Sequence, residues 1–95
     1  MQGGWTYILT NRPHGTLYVG VTADLARRIW EHRQGLGSDF TRRYGLHRLV
    51  HAEAHETITA AIQREKNLKH WSRAWKVALI EKHNPGWDDL YDQLI

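Results

Sequence analysis

The chain contains no cysteine, two prolines and one phenylalanine in 95 residues. Without cysteine there is no disulfide framework, no thiolate metal site and no cysteine nucleophile, so stability must come from packing. No apolar run approaches the roughly 20 residues of a membrane-spanning helix, and the opening MQGGWTYILT lacks the basic head and apolar stretch of a signal peptide. The expectation is a soluble, cytoplasmic protein with no membrane partner. There is no low-complexity segment, repeat or linker, and a hydrophobic content of 41% suffices for one core but not two. A single domain spanning 1–95 is expected. What the chain does have is five tryptophans, four tyrosines, seven histidines and a net charge of +3. Asp88, Asp89 and Asp92 occur in a tail without Lys or Arg, so residues 1–83 carry +6. A basic, arginine-rich body suits a phosphate-bearing partner.

Trp5 to Thr10 and Thr16 to Val21 alternate β-branched and aromatic residues, and the turn-forming Asn11-Arg12-Pro13-His14-Gly15 between them predicts a hairpin. Asp24 is a plausible N-cap for a helix to about Arg33 with Leu25, Ile29 and Leu36 as its apolar stripe, stopped by Gly35 and Gly37. A basic loop around Arg42, Arg43 and Tyr44 leads to a third strand over Arg48–Ala54. A second helix over Thr57–Lys69 carries Ile58, Ala61, Ile62, Glu65 and Leu68 at helical spacing. A third starts at Ser72, carries Trp75, Ala78 and Leu79 on one side, and ends at Asn84-Pro85-Gly86. Trp87, Leu90, Tyr91 and Leu94 should fold back on the core. The order predicts an α/β (α+β) sandwich: a three-stranded, mainly antiparallel sheet flanked by three helices.

Symmetric pairing about Arg12-Pro13 would set Thr10 opposite Gly15 and Tyr7 opposite Tyr18, converging two phenols on one small volume. Such a pair also serves as ordinary sheet stabilisation. On the first helix Arg28 and His32 lie four apart and can reach one another, whereas Arg27 points away into solvent. Glu65 shares the stripe of its helix's core residues, and a carboxylate there must be compensated. Either a buried Arg pairs with it or it holds a hard cation such as Mg²⁺, which takes one or two carboxylates and completes its shell with water and phosphate oxygens. His47, His51 and His55 alternate along the third strand, but residues four apart on a strand are about 13 Å apart and cannot share one zinc ion.

Taken in order, Tyr7, Tyr18-Val19-Gly20, Arg28-x-x-x-His32, Glu65 and Asn84 resemble the GIY-YIG nuclease superfamily, in particular its small stand-alone members. The segments TLYVGVT, LARRIWEH, REKNLKHWSRAWK and NPGWDDLY carry the same likeness, which runs from about Trp5 to Tyr91. The first triplet reads Trp5-Thr6-Tyr7, keeping only its tyrosine, and Val19 replaces isoleucine in the second. The resemblance implies a three-stranded antiparallel sheet flanked by helices and an endonuclease that hydrolyses DNA phosphodiesters with one Mg²⁺ or Mn²⁺ ion. Carried over by position, Tyr7, Tyr18, Arg28, His32 and Asn84 are catalytic and Glu65 is the metal ligand, with either tyrosine as the base. Arg42, Arg43, Lys66, Lys69 and Arg73 are candidates for tracking the DNA backbone, and Tyr44 or Trp71 for stacking on bases. Many relatives carry a separate DNA-recognition domain, so selectivity is expected to be low or supplied by a protein partner. The choice between single strand and duplex stays open. Alternative readings are a non-catalytic nucleic-acid-binding module on the same fold, or an interaction domain in which Tyr, Arg and Glu merely pair in the core.

Overall fold

The computed structural model describes residues 3–94; residues 1, 2 and 95, the ends of the expected domain, lie outside the described residues. Strand β1 (Gly4–Thr10) is central, flanked by β2 (Leu17–Thr22) and β3 (Arg48–His55), and both pairings are antiparallel. The helices are α1 (Leu25–Arg33), α2 (Asp39–Tyr44), α3 (Ile58–His70) and α4 (Arg73–His83), followed by a short 3₁₀ turn over Leu90–Leu94. The sandwich is as expected from the order of elements, with one helix more than anticipated.

Strand alternation divides the core into two clusters. Tyr7 and Leu9 of β1 pack with Leu25, Ile29, Leu46 and Leu49, under the tail residues Leu90, Tyr91 and Leu94. On the other face Ile8 packs with Val19, Val50, Leu68, Ile80 and Trp87. A bulge at Val50 separates the Ile8–His51 pair from the Leu9–Leu49 pair. The outer edge of β3 is tied down there: Leu49 N donates to Asp89 Oδ1 and Asn84 Nδ2 donates to Val50 O.

The hairpin register corrects the expected one. Thr10 pairs with Leu17 and Tyr7 with Gly20, so Tyr18 lies opposite Leu9. The loop is longer because Thr16 N donates to the Asn11 side chain at 3.1 Å, while Gly15 N closes a turn onto Arg12 O. Arg73 clamps the loop from outside by donating to the carbonyls of His14 and Gly15. The shift is two residues, and side chains alternate with period two, so both tyrosines keep the same face as diagonal neighbours.

Three further expectations change. The basic loop is helix α2, six residues held by its ends: Ser38 Oγ accepts from Thr41 N, and Gly45 adopts a left-handed conformation at φ 65°. Leu36 lies beyond α1 and is exposed instead of completing its stripe. Helix α4 buries Ile80 and half-buries Val77, while Ala78 is exposed and Trp75 is 63% exposed. Trp87, from the tail, packs on the core beside Ile80 as expected. Trp71, Trp75, Ala78, Leu79 and Lys82 instead line an open apolar groove of about 390 Å³.

Candidate active site

Gly20 explains why the Tyr7 ring can lie where it does. A Cβ at this position would overlap the end of the Tyr7 ring and its hydroxyl, so glycine lets the phenol cross β2 in contact with the backbone. Tyr7 is only 1% exposed. Its Oη lies 2.9 Å from His32 Nε2, and the rings of Tyr7 and Tyr18 are 6.4 Å apart. His32, also 1% exposed, is 5.8 Å from the Tyr18 ring. The two phenols and the imidazole therefore form one cluster.

Arg28 lies at the rim with 32% of its side chain exposed, and its Nη1 donates to Glu31 Oε1 at 3.1 Å. Its guanidinium is close enough to the Tyr7 oxygen that each changes the other's titration. Burial works against the charge on Arg28, but the contacts with Glu31 and Tyr7 outweigh it and hold the group more firmly protonated than usual. Burial pushes the Tyr7 phenol up to about 12, Tyr18 adds to the rise, and Arg28 offsets only part of it. At Tyr7, desolvation thus outweighs the neighbouring arginine. His32 is brought down to about 4, first by burial and then by the positive charge of Arg28, so it is neutral at pH 7.

Glu65 stands where its helical stripe predicts, with 14% of its side chain exposed. Its partner is Lys69, whose Nζ is 3.0 Å from Oε2, instead of a buried arginine. The carboxylate lies close enough to Tyr7 to add to the rise in its pKa. No group of three metal-ligating side chains occurs among the described residues. A single carboxylate with one flexible ammonium partner fits a hard divalent ion whose remaining ligands are water and phosphate oxygens.

Asn84 is placed elsewhere. It is buried, and its amide donates to Val50 O and Asp88 O while its Oδ1 accepts from Asp88 N. These bonds tie α4, β3 and the tail together and leave the side chain no free polar atom for the Tyr7 cluster. Several proposed DNA-contacting residues are likewise engaged: Arg73 holds the hairpin loop, Lys69 pairs with Glu65, and Arg42 pairs with Asp39. Lys66 and Arg43 have no carboxylate within 4 Å among the described residues. Arg43 lies 5.7 Å from the exposed Tyr44 ring, and Trp71 lies under Arg64 at 4.9 Å. The stretch 64–83 carries six Lys and Arg against two Glu, a greater surplus than that of the whole chain.

Three residues at this site carried no functional signal in the expected basic loop. Phe40 stacks on Tyr18 at 6.2 Å and touches Tyr44 at 4.8 Å, extending the aromatic cluster outward along α2. Thr41 lies 3.0 Å from His32 Nδ1, and Ser38 caps the same helix. The usable signal was Ser38 three residues before Thr41, with Gly45 beyond: the two ends of a short helix. A concavity of about 440 Å³ at β3, lined by Val50, His51, Ala52, Glu53, His83 and Leu90, shares no residue with the Tyr7 cluster.

The model of the GIY-YIG catalytic domain matches residues 3–78. A UPF0213 protein of Haloquadratum walsbyi is 40% identical over 67 residues, covering 70% of this chain and 75% of that protein. A UPF0213 protein of Syntrophus aciditrophicus is 36% identical over 86 residues, covering 90% and 97%. The solution NMR structure of a UPF0213 protein from Bacillus halodurans superposes with a TM-score of 0.57 at 33% identity, covering 92% of each chain.

Proposed function

The chain belongs to the GIY-YIG family, a nuclease superfamily, and on that premise we propose that it is a divalent-metal-dependent endonuclease that hydrolyses DNA phosphodiesters with low intrinsic sequence specificity. The observation that carries this reading is the convergence of Tyr7, Tyr18 and His32 beside Arg28, with Glu65 near enough to act on the Tyr7 hydroxyl.

Hydrolysis needs a nucleophilic water, charge compensation on the phosphoryl oxygens, and a place for the water's proton. Arg28 supplies the second: a permanently charged, planar guanidinium at the rim can donate to two phosphate oxygens at once. Glu65 would hold the Mg²⁺ or Mn²⁺ ion, whose contribution when bound is to draw charge from the scissile phosphate and acidify coordinated water. Of the two phenols, Tyr18 is the better placed to take the proton. Its ring is only partly buried and its hydroxyl has no protein partner among the described residues, whereas Tyr7 is sealed in and engaged with His32. As the water oxygen bonds to phosphorus, its proton passes to the Tyr18 oxygen while that phenol gives its own proton to solvent, the opposite P–O bond breaks, and the departing oxygen takes a proton from solvent. Tyr7 and His32 form the rigid floor against which Arg28 is held. All these groups address phosphate, which carries no sequence information, and this supports low selectivity.

The test is a gel assay on labelled single strands and duplexes. Cleavage with Mg²⁺ or Mn²⁺ that stops in chelator is expected. Purified protein that cleaves neither substrate with any divalent ion would overturn the reading, and salt-sensitive binding without cleavage would favour the non-catalytic module.

A further inference from the structure

We propose that Thr41 is a positioning residue: through His32 it fixes the direction of the hydrogen bonds that hold Tyr7 against Arg28, so that α2 sets the geometry of the phosphate-binding guanidinium. The functional half of this inference rests on the nuclease reading; the structural half does not.

The direction of the chain follows from what each atom can donate. Its fixed end is the carbonyl of Ser38, which can only accept, and Thr41 Oγ1 donates to it at 3.0 Å. The Ser38 carbonyl also accepts from Arg42 N at 3.1 Å, and Ser38 Oγ donates to the Thr41 oxygen at 3.2 Å. With its one proton on that carbonyl, Thr41 accepts from His32, and we assign the 3.0 Å contact as an Nδ1–H donating to Oγ1. A neutral imidazole protonated at Nδ1 has a bare Nε2, so across the 2.9 Å contact the Tyr7 hydroxyl is the donor. With its proton directed at His32, the Tyr7 oxygen turns lone pairs toward Arg28, which has only donors to offer.

Two features hold this chain in place. Thr41 is 1% exposed, so water is not available to replace it as the acceptor for Nδ1–H. Gly37 lies against the imidazole so closely that a Cβ there would overlap His32 Nδ1. Ser38 adds a second clamp: its Oγ accepts from Thr41 N and donates to Thr41 Oγ1, both at 3.2 Å. The short helix α2 is thus pinned by its N-cap to the residue that orients the histidine.

Removing the Thr41 oxygen would leave Nδ1–H buried without an acceptor, a cost the ring avoids by moving its proton to Nε2. Nε2–H would then donate to the Tyr7 oxygen, and the Tyr7 proton would have to turn toward the guanidinium, setting donor against donor. Arg28 would be displaced without having been altered.

The experiment compares Thr41→Val, which keeps the shape, with Thr41→Ser, which keeps the hydroxyl. Long-range ¹H–¹⁵N correlation spectra of the free protein report which His32 nitrogen carries the proton. Wild type and Thr41→Ser should show a protonated Nδ1 and a bare Nε2; Thr41→Val should show loss of that tautomer. On DNA with Mg²⁺, Thr41→Val should lose at least about tenfold in kcat with a smaller change in KM, and Thr41→Ser should restore it. Should Thr41→Val fail to fold, Gly37→Ala, which crowds the same nitrogen, is expected to disturb the same signals. A Thr41→Val protein that keeps Nδ1–H, or that loses it while cleaving at the wild-type rate, would overturn the proposal. Wild-type protein that cleaves nothing would overturn the nuclease reading instead, leaving the tautomer spectra to decide whether Thr41 orients His32.

Discussion

Glu53 and Glu65 are carboxylates of similar burial, 21% and 14% exposed, yet their neighbours treat them in opposite ways. Glu53 is saturated. Arg64 grips it with two bonds, Nε to Oε1 at 2.8 Å and Nη2 to Oε2 at 3.1 Å, and His51 Nε2 lies 2.8 Å from Oε2. Burial alone would raise its pKa, but these bonds outweigh it and bring the group to about 2. Among the described residues Glu65 has one ion-pair partner, the half-exposed ammonium of Lys69 on the next turn. The two chains of polar groups end differently as well: that of His51 ends on a carboxylate held by arginine, while that of His32 ends on the Ser38 carbonyl. A carboxylate gripped on both oxygens by an arginine fixes structure; one with a single exchangeable cation is available to a ligand.

The contrast can be broken or sharpened by a series of measurements. Apart from Glu65 itself, the largest effect is expected at the rim of the site. Arg28→Ala should lower DNA cleavage by roughly 10³-fold, about 4 kcal/mol of transition-state stabilisation, with the folded spectrum retained. A large loss of thermal stability in that variant would mean that Arg28 serves the core instead. Glu53→Gln comes next: leaving Arg64 without its counter-charge should cost about 2 kcal/mol of unfolding free energy in denaturant titrations, with cleavage largely preserved.

Acid should separate the two regions by pH. His32 has a folded pKa of about 4 against 6.5. The unfolded chain therefore binds the extra proton first, and stability falls as pH drops from about 6.5 to about 4. Glu53, at about 2 against 4.5, contributes stability that is present above about pH 4.5 and is lost as pH falls toward 2. Unfolding curves should therefore decline in two windows, each worth on the order of 2 kcal/mol, with His32→Gln flattening only the upper one. If both windows survive in that variant, the assignment of the neutral imidazole is wrong. The smallest effect is expected for Lys69→Met. An exposed pair one turn apart contributes less than about 0.5 kcal/mol, so its Tm should shift by a few degrees at most.

The parts of this structure that were legible in the sequence are those written as periodicity. The strands, α1, α3 and the position of Glu65 follow from alternation and from spacings of three and four. The hairpin register was not legible because it is set by a side-chain bond from Asn11 and a clamp from Arg73, neither of which leaves a periodic trace. Helix α2 was missed because six residues hold too little repeat to detect, and its formation rests on Ser38 and Gly45 at its ends. The inward face of α4 was not legible because Ile80 and Val77 meet the core while the apolar Trp75 and Ala78 on the same helix stay exposed, a division that spacing alone does not mark. At the site, the resemblance names Tyr7, Tyr18, Arg28 and His32, but not the Thr41 and Gly37 contacts that hold the imidazole, which only the folded chain brings together.

The most direct test places the two carboxylates side by side. Cleavage rate with saturating Mg²⁺ and thermal stability should be measured on the same preparations of Glu65→Gln and Glu53→Gln. The account predicts that Glu65→Gln abolishes cleavage with a Tm close to wild type, while Glu53→Gln lowers the Tm and still cleaves. Full activity in Glu65→Gln, or loss of activity confined to Glu53→Gln, would contradict it.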